Sequence, residues 1–214
     1  MLELGLKSLL AYFLGTILGS LVLGKLKGVD IRNSGSGNAG ATNALRTQGK
    51  FFAIGVLIID ISKGLLATSW VPTLVFPGIT QDPEISRYGL VLGCGVAVIL
   101  GHVYPVWFAF RGGKGVATIL GAIAGIDARL ILPLGVSWFV VLLVTGYVGL
   151  ASMLAGVALV VSVYFLDPGN TPLLLFCALV TLFVVYTHRS NIVRMCSGNE
   201  HRVRRLWLFR PRKA

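Results

Sequence analysis

The stretch Gly112-Gly113-Lys114-Gly115-Val116-Ala117-Thr118-Ile119-Leu120-Gly121-Ala122-Ile123-Ala124-Gly125-Ile126 decides the architecture. Its apolar part, residues 116–126, is short; a helix needs about 20 mainly apolar residues to cross the hydrocarbon. Six longer apolar runs surround it, at residues 4–23, 51–76, 88–110, 130–147, 148–166 and 172–187. The first has no small-x-small cleavage site of the kind that ends a signal peptide. The chain therefore has six crossings or seven, depending on whether 116–126 spans.

Charge and parity choose between them. The segment 25–50 holds Lys25, Lys27, Arg32, Arg46 and Lys50. The tail after Thr187 holds Arg189, Arg194, Arg202, Arg204, Arg205, Arg210, Arg212 and Lys213. Loops rich in Lys and Arg face the cytoplasm, so both belong on one side. The five clear runs between them are an odd number, so residues 116–126 must cross as well, in thin or sheltered membrane. The same parity puts Arg111 and Lys114 inside and the N-terminus outside, with 15 of the 19 Lys and Arg cytoplasmic. Glu3, Asp82, Glu84, Asp127 and Asp167 fall on the outer side. The expectation is an all-α polytopic membrane protein with seven transmembrane helices, N-terminus outside and C-terminus cytoplasmic. Residues 1–200 form one seven-helix membrane domain and 201–214 a basic cytoplasmic tail.

Composition agrees. Of 214 residues, 55% are hydrophobic and 13% charged, with mean hydropathy +0.82; a soluble domain carries roughly 25% charged residues. This excludes a soluble enzyme, a disordered chain and a disulfide-stapled module. The net charge of +11 would suggest nucleic acid in a soluble protein; here it reads as loop positives and implies no nucleic-acid partner. Cys94, Cys177 and Cys196 form no ligand pattern, so no metal is implied. The pairs Gly15/Gly19, Gly89/Gly93 and Gly121/Gly125 suit close helix packing. Asp60 and Lys63, one turn apart inside an apolar run, read as a mutually neutralising pair rather than a pathway.

Polar chemistry is concentrated in three segments that this topology brings to the cytoplasmic face. The first runs Asn33-Ser34-Gly35-Ser36-Gly37-Asn38-Ala39-Gly40-Ala41-Thr42-Asn43, followed by Arg46. Its glycines permit a backbone nest that binds anions, with Ser36, Asn38, Thr42 and Asn43 as neutral donors; the bland alternative is a flexible linker. The second contains Gly101-His102-Val103-Tyr104-Pro105, then Arg111-Gly112-Gly113-Lys114-Gly115 ahead of a helix. Gly112, Gly113 and Gly115 around Lys114 can cradle a phosphate. This is not a nucleotide P-loop: Phe108 stands where that motif needs Gly, and Gly115 where it needs Ser or Thr. His102 reads as packed or capping. The third is His188-Arg189-Ser190-Asn191-Ile192-Val193-Arg194, running to Gly198 and Glu200. If the last helix continues, His188 and Asn191 share a face, as do Asn191 and Arg194. Trp207 and Phe209 among the basic tail residues suit contact with anionic membrane lipids.

Together, Gly35-Ser36-Gly37-Asn38-x-Gly40-Ala41-Thr42-Asn43, Gly101-His102-x-x-Pro105 with Gly112-Gly113-Lys114-Gly115-Val116-Ala117-Thr118, and His188-Arg189-x-Asn191-Ile192-x-Arg194 with Gly198 and Glu200 resemble the acyl-phosphate-dependent glycerol-3-phosphate acyltransferase family. The resemblance covers nearly the whole chain and stops after Glu200. It implies transfer of a fatty acyl group from acyl phosphate to the 1-hydroxyl of sn-glycerol 3-phosphate, giving lysophosphatidic acid and phosphate. This is the first step of bacterial phospholipid synthesis, performed in the cytoplasmic (inner) membrane with the active site on its cytoplasmic face. It implies no cofactor. A residue check agrees: thioester-using acyltransferases commonly carry Asp five residues after His, whereas His102, His188 and His201 are followed there by Trp107, Val193 and Leu206.

Acyl phosphate already carries a good leaving group, so positioning and charge neutralisation matter most. Gly112, Gly113, Lys114 and Gly115 are assigned to the donor phosphate. Arg46, Arg189 and Asn191, with Arg194 nearby, are assigned to the glycerol 3-phosphate phosphate. Ser36, Asn38, Thr42 and Asn43 are shared between the two. His188 either takes the hydroxyl proton or orients the acceptor while the leaving phosphate takes it; acylation of Ser36 is a third route. The donor arrives through lipid or from the enzyme that forms it, a candidate partner. Competing classes are an organophosphate transporter, which should show midplane charges between repeats, and a structural membrane protein, which leaves the polar segments unexplained.

Overall fold

The computed structural model describes residues 1–203 and 207–209. Among these residues the secondary structure is helical throughout, with no strand. Arg204, Arg205, Arg210, Arg212 and Lys213 of the basic tail lie outside the described residues. The chain forms two compact units, Met1–Ala128 and Arg129–Ala214.

The first unit holds α1 (Leu2–Gly15), α2 (Gly19–Lys27), α3 (Ala41–Gln48), α4 (Lys50–Ser69), α5 (Arg87–Val103) and α6 (Val116–Ile126). Single 3-10 turns at Ile31–Asn33, Val71–Thr73 and Val106–Phe108 link them. The apolar run at 4–23 is not one straight helix. It breaks after Gly15 and turns by 42° into α2. At the break, the Thr16 hydroxyl donates to the Phe13 carbonyl at 2.6 Å, and Lys63 Nζ donates to the carbonyls of Gly15 and Ile17, both at 2.8 Å. Hydropathy registers only that these residues are apolar. The break needs a cation from another helix to satisfy the carbonyls that end α1.

Close helix approach explains most of the glycine pairs. Gly15 lies against the α5 backbone at Val98, Gly19 against α4 at Val56, and Gly121 against α4 at Ile61, each too close for a side chain. Gly64 meets α6 at Thr118 in the same way. At the opposite end of the unit, Glu3 accepts from Lys7 at 2.7 Å, from Arg87 at 2.6 Å and from the Asp82 backbone at 3.0 Å. These bonds pin the 71–86 segment over the start of α1.

The second unit holds α7 (Ile131–Thr145), α8 (Val148–Leu166), α9 (Thr171–Thr187) and α10 (Arg189–Cys196). The last apolar helix does not run on through the third polar segment. It ends at Thr187 and bends by 54° at His188 into α10. His188 is therefore the junction residue, and its carbonyl accepts from the Asn191 N–H at 2.8 Å. At the described part of the tail, the Arg202 guanidinium stacks on the rings of Tyr147 and Trp207, and Trp207 Nε1 donates to the Val144 carbonyl at 3.0 Å.

Four helices are long and apolar enough to cross a membrane singly, at Lys50–Thr73, Arg87–Phe108, Ala128–Thr145 and Val148–Leu166. Each of the two bent pairs, α1 with α2 and α9 with α10, is long and apolar enough when taken together, as a broken span or a re-entrant loop. Val116–Ile126 is apolar but shorter.

Candidate active site

The first unit brings the first two polar segments together. Asn43, at the start of α3 and 1% exposed, organises the first. Its Oδ1 accepts from the Ser36 N–H at 2.8 Å, and its Nδ2 donates to the carbonyls of Ile31 at 2.9 Å and Ser34 at 3.1 Å. One buried amide thus closes the loop. Gly35, at φ +61°, sits so near that amide that any side chain would strike it. Ser36, Thr42 and Arg46 are exposed around this frame, and Asn38 is half-buried with its amide over Gly40.

Asn43→Ala leaves three backbone groups without their partner and is expected to destabilise the protein by about 1–3 kcal/mol. Asn43→Asp should do at least as much harm despite its matching shape, because an oxygen would then face two carbonyls. Thermal unfolding of the two variants checks the order.

Arg32 ties this loop to the second segment. It makes a two-pronged ion pair with Asp30, Nη2 to Oδ2 at 2.7 Å and Nε to Oδ1 at 3.0 Å. It also donates to the Arg111 carbonyl at 3.3 Å and lies over the Phe108 ring. The hydrogen bonds from Arg32 hold the Asp30 carboxyl below its ordinary value, and Asp30 raises Arg32 in turn.

The second segment is laid on the end of α5. The Gly112 N–H donates to the Val103 carbonyl at 3.1 Å and the Gly113 N–H to the His102 carbonyl at 3.2 Å. Both glycines lie too close to α5 for a Cβ, Gly113 against the His102 ring itself. Ala109 and Phe110 turn into this loop with φ of 53° and 58°, a conformation that costs non-glycine residues roughly 1–2 kcal/mol each. Lys114 follows, half-buried, and Gly115 caps α6 at φ +87°. Lys114 thus directly precedes the N-cap of α6. His102 is 2% exposed and packed. Leu18, Leu21 and Ala39 form an apolar cluster with Phe108 beneath the two loops. An apolar groove of about 340 Å³, lined by Phe13, Thr16, Ile17, Leu18, Val22, Trp107 and Phe108, opens at the α1 break.

In the second unit, His188 is 4% exposed and its Nδ1 lies 2.8 Å from the Val184 carbonyl. A carbonyl can only accept, so Nδ1 carries the proton and the lone pair of neutral His188 is on Nε2. Glu200 organises the rest. Its Oε1 accepts from Asn191 Nδ2 at 2.8 Å and its Oε2 from Arg194 Nε at 2.7 Å. Asn191 and Arg194 do share a face, and Glu200 reads both. Arg189 is exposed over the Tyr186 ring. Glu200 was not among the expected site residues. Its signal was present: it is the only carboxylate among the basic residues after Thr187. Glu200→Gln sets an amide donor against Arg194 and is expected to cost about 1 kcal/mol, since Arg194 is partly solvated. Acyl transfer should fall further than the small shift in Tm explains, which parallel activity and unfolding measurements check.

A larger cleft of about 390 Å³ at the α8–α9 turn contains none of the expected site residues. No group of three His, Cys, Asp or Glu among the described residues is arranged to hold a metal.

Two solved structures of the integral-membrane glycerol 3-phosphate acyltransferase PlsY (YgiH) share this fold. The glycerol 3-phosphate form matches with a TM-score of 0.79 at 34% identity, over 93% of this chain and 94% of that one. The lysophosphatidic acid form matches with 0.77 at 33% identity and the same coverage. The protein is thus an integral-membrane acyltransferase. The glycerol-3-phosphate acyltransferase family model matches residues 6–198. The glycerol-3-phosphate acyltransferase of Bacillus subtilis is 41% identical over 94% of this chain and 96% of its own length. That of Aquifex aeolicus is 40% identical over 90% and 95%. The chain belongs to the glycerol-3-phosphate acyltransferase family.

Proposed function

We propose that this protein transfers a fatty acyl group from acyl phosphate to the 1-hydroxyl of sn-glycerol 3-phosphate, releasing lysophosphatidic acid and phosphate. The observation that carries the donor assignment is the Gly112-Gly113-Lys114-Gly115 loop, held open on α5 by backbone bonds and set against a helix N-terminus. Such a loop suits a compact dianion. The phosphate of a thioester carrier, by contrast, stands many atoms from the reacting carbon.

In the reaction, the glycerol oxygen bonds to the acyl carbon and the bond from that carbon to the phosphate oxygen breaks. The electron pair leaves with phosphate. Lys114 and the loop N–H groups neutralise that phosphate as its charge grows. Arg46, Arg189 and Asn191 hold the glycerol 3-phosphate phosphate, with Arg194 behind Asn191. Ser36, Asn38 and Thr42 serve both anions from the loop that Asn43 frames. His188 Nε2 accepts the hydroxyl hydrogen bond, and the proton passes either to it or to the departing phosphate. The acyl chain lies among the apolar helices, and the groove at Trp107 and Phe108 is the opening that leads in sequence to the loop.

The charge pattern supports seven crossings, counting each bent pair as one span and adding α6, with the N-terminus outside and the C-terminus inside. On this reading residues 1–200 act as one acyltransferase domain in the bacterial inner membrane, facing the cytoplasm, with 201–214 as a lipid-contacting tail. The enzyme that forms acyl phosphate is a candidate partner for donor delivery. Incubation of the purified protein with acyl phosphate and labelled glycerol 3-phosphate tests the reaction. Labelled lysophosphatidic acid is expected from acyl phosphate and none from acyl-CoA; the reverse pattern contradicts the donor assignment.

A further inference from the structure

The Asp60–Lys63 pair is buried inside α4, at 1% and 3% exposure, with Nζ 3.0 Å from Oδ1. The mutual pairing expected from their spacing is present. Yet a pair of apolar side chains would join helices here at less cost, because burying two ions carries a desolvation penalty that their attraction barely repays. Charges inside a spanning helix are retained where they do something an apolar side chain cannot.

Their partners lie on other elements. Lys63 holds the carbonyl end of α1, and Asp60 accepts the first N–H of α2, from Gly19, at 3.2 Å. Each charge thus meets the helix end of opposite polarity. Asp60 Oδ1 also stands 3.6 Å from His102 Nδ1, which lies 3.1 Å from Thr118 Oγ1 on α6. The other side of the His102 ring is the surface against which Gly113 rests. From α2, Ser20 Oγ donates to the Ala39 carbonyl at 2.6 Å, inside the first polar loop. A continuous buried chain therefore runs from the helix break through Lys63, Asp60 and His102 to the backbone of the 112–115 loop.

We propose that Asp60, Lys63 and His102 are positioning residues for acyl transfer: a buried ionic strut that sets the height and tilt of the 112–115 loop. The proposal rests on the reading that this loop holds the donor phosphate. Its consequence falls chiefly on the donor, because His102 packs directly on Gly113 whereas the first polar loop is reached only through α2. Weakening the strut displaces Gly113 and Lys114, which meet the donor, and leaves acceptor binding close to its normal strength.

The test compares Asp60→Asn, which removes the charge at constant shape, with Thr118→Val, which removes one hydroxyl contact to His102. Both Michaelis constants, kcat and Tm are measured in each. Asp60→Asn is expected to raise KM for acyl phosphate about 10-fold and Thr118→Val about 3-fold, the size of one lost hydrogen bond. KM for glycerol 3-phosphate should stay within about 2-fold in both. Thr118→Val decides the matter if Asp60→Asn does not fold. An unchanged donor KM in Thr118→Val overturns the proposal. So does a parallel rise in both constants, or a loss of Tm and kcat with both unchanged, since those mark a fold element only. Wild-type protein inactive with acyl phosphate, or Lys114→Ala with normal donor KM, would instead sink the reading beneath it and leave a distinguishable result.

Discussion

Lys114→Ala is expected to lower the rate of acyl transfer by about 100- to 1000-fold, the usual consequence of removing one aimed group from a developing oxyanion. On the proposed assignment the donor's phosphate departs with the electron pair of the broken C–O bond, so charge grows on oxygens set against the 112–115 loop. The backbone of that loop is fixed by the Gly112 and Gly113 bonds to α5, so the variant should lose the ammonium and keep the cradle. Lys114→Arg retains charge but brings a broad, planar fork into a loop whose glycines press on α5, and should recover only part of the rate. Steady-state kinetics with both substrates varied, alongside unfolding, separates this from a folding defect.

His188→Ala is expected to raise KM for glycerol 3-phosphate at least about 10-fold through loss of the Nε2 acceptor. The behaviour of kcat then assigns the proton. If the imidazole takes it, kcat falls by a further 100- to 10,000-fold, roughly the range of general-base catalysis. If kcat is intact, the departing phosphate takes it and His188 only orients the hydroxyl. The tautomer underlies both outcomes: with Nδ1 committed to the Val184 carbonyl, Nε2 is the nitrogen able to accept. Acyl transfer through Ser36 predicts instead an acyl-enzyme formed from acyl phosphate alone, and failure to trap one disposes of that route.

Much of the helical framework was legible because membrane burial imposes a strong, local signal: long apolar runs, small residues where helices touch, and positives beyond their ends. Three features were not, and two of them depend on side-chain contacts that spacing alone does not show. The break at Gly15 is satisfied by Lys63, so a hydropathy profile of residues 4–23 cannot reveal it. The bend at His188 follows from a helix terminating at Thr187 within a stretch of ordinary helix formers. Asn43, read as a substrate donor, directs its amide at Ile31, Ser34 and Ser36, so it acts by shaping the loop that carries Ser36. The polar segments were legible as a set because glycine, asparagine and basic residues are costly in an apolar chain and stand out where they recur. Glu200 was quoted in the third segment without a role, because its contacts to Asn191 and Arg194 belong to the folded chain and not to spacing.

The proposed function requires the protein to hold two phosphates at once, one for each substrate. A structure of this chain with sn-glycerol 3-phosphate and an acyl phosphonate, in which a methylene replaces the labile oxygen, tests it most directly. Two phosphorus positions are expected, the phosphonate against Gly112, Gly113 and Lys114, and the glycerol phosphate with Arg46, Arg189 and Asn191. Both substrates competing for a single phosphate position, or the phosphonate bound away from Lys114, would contradict it.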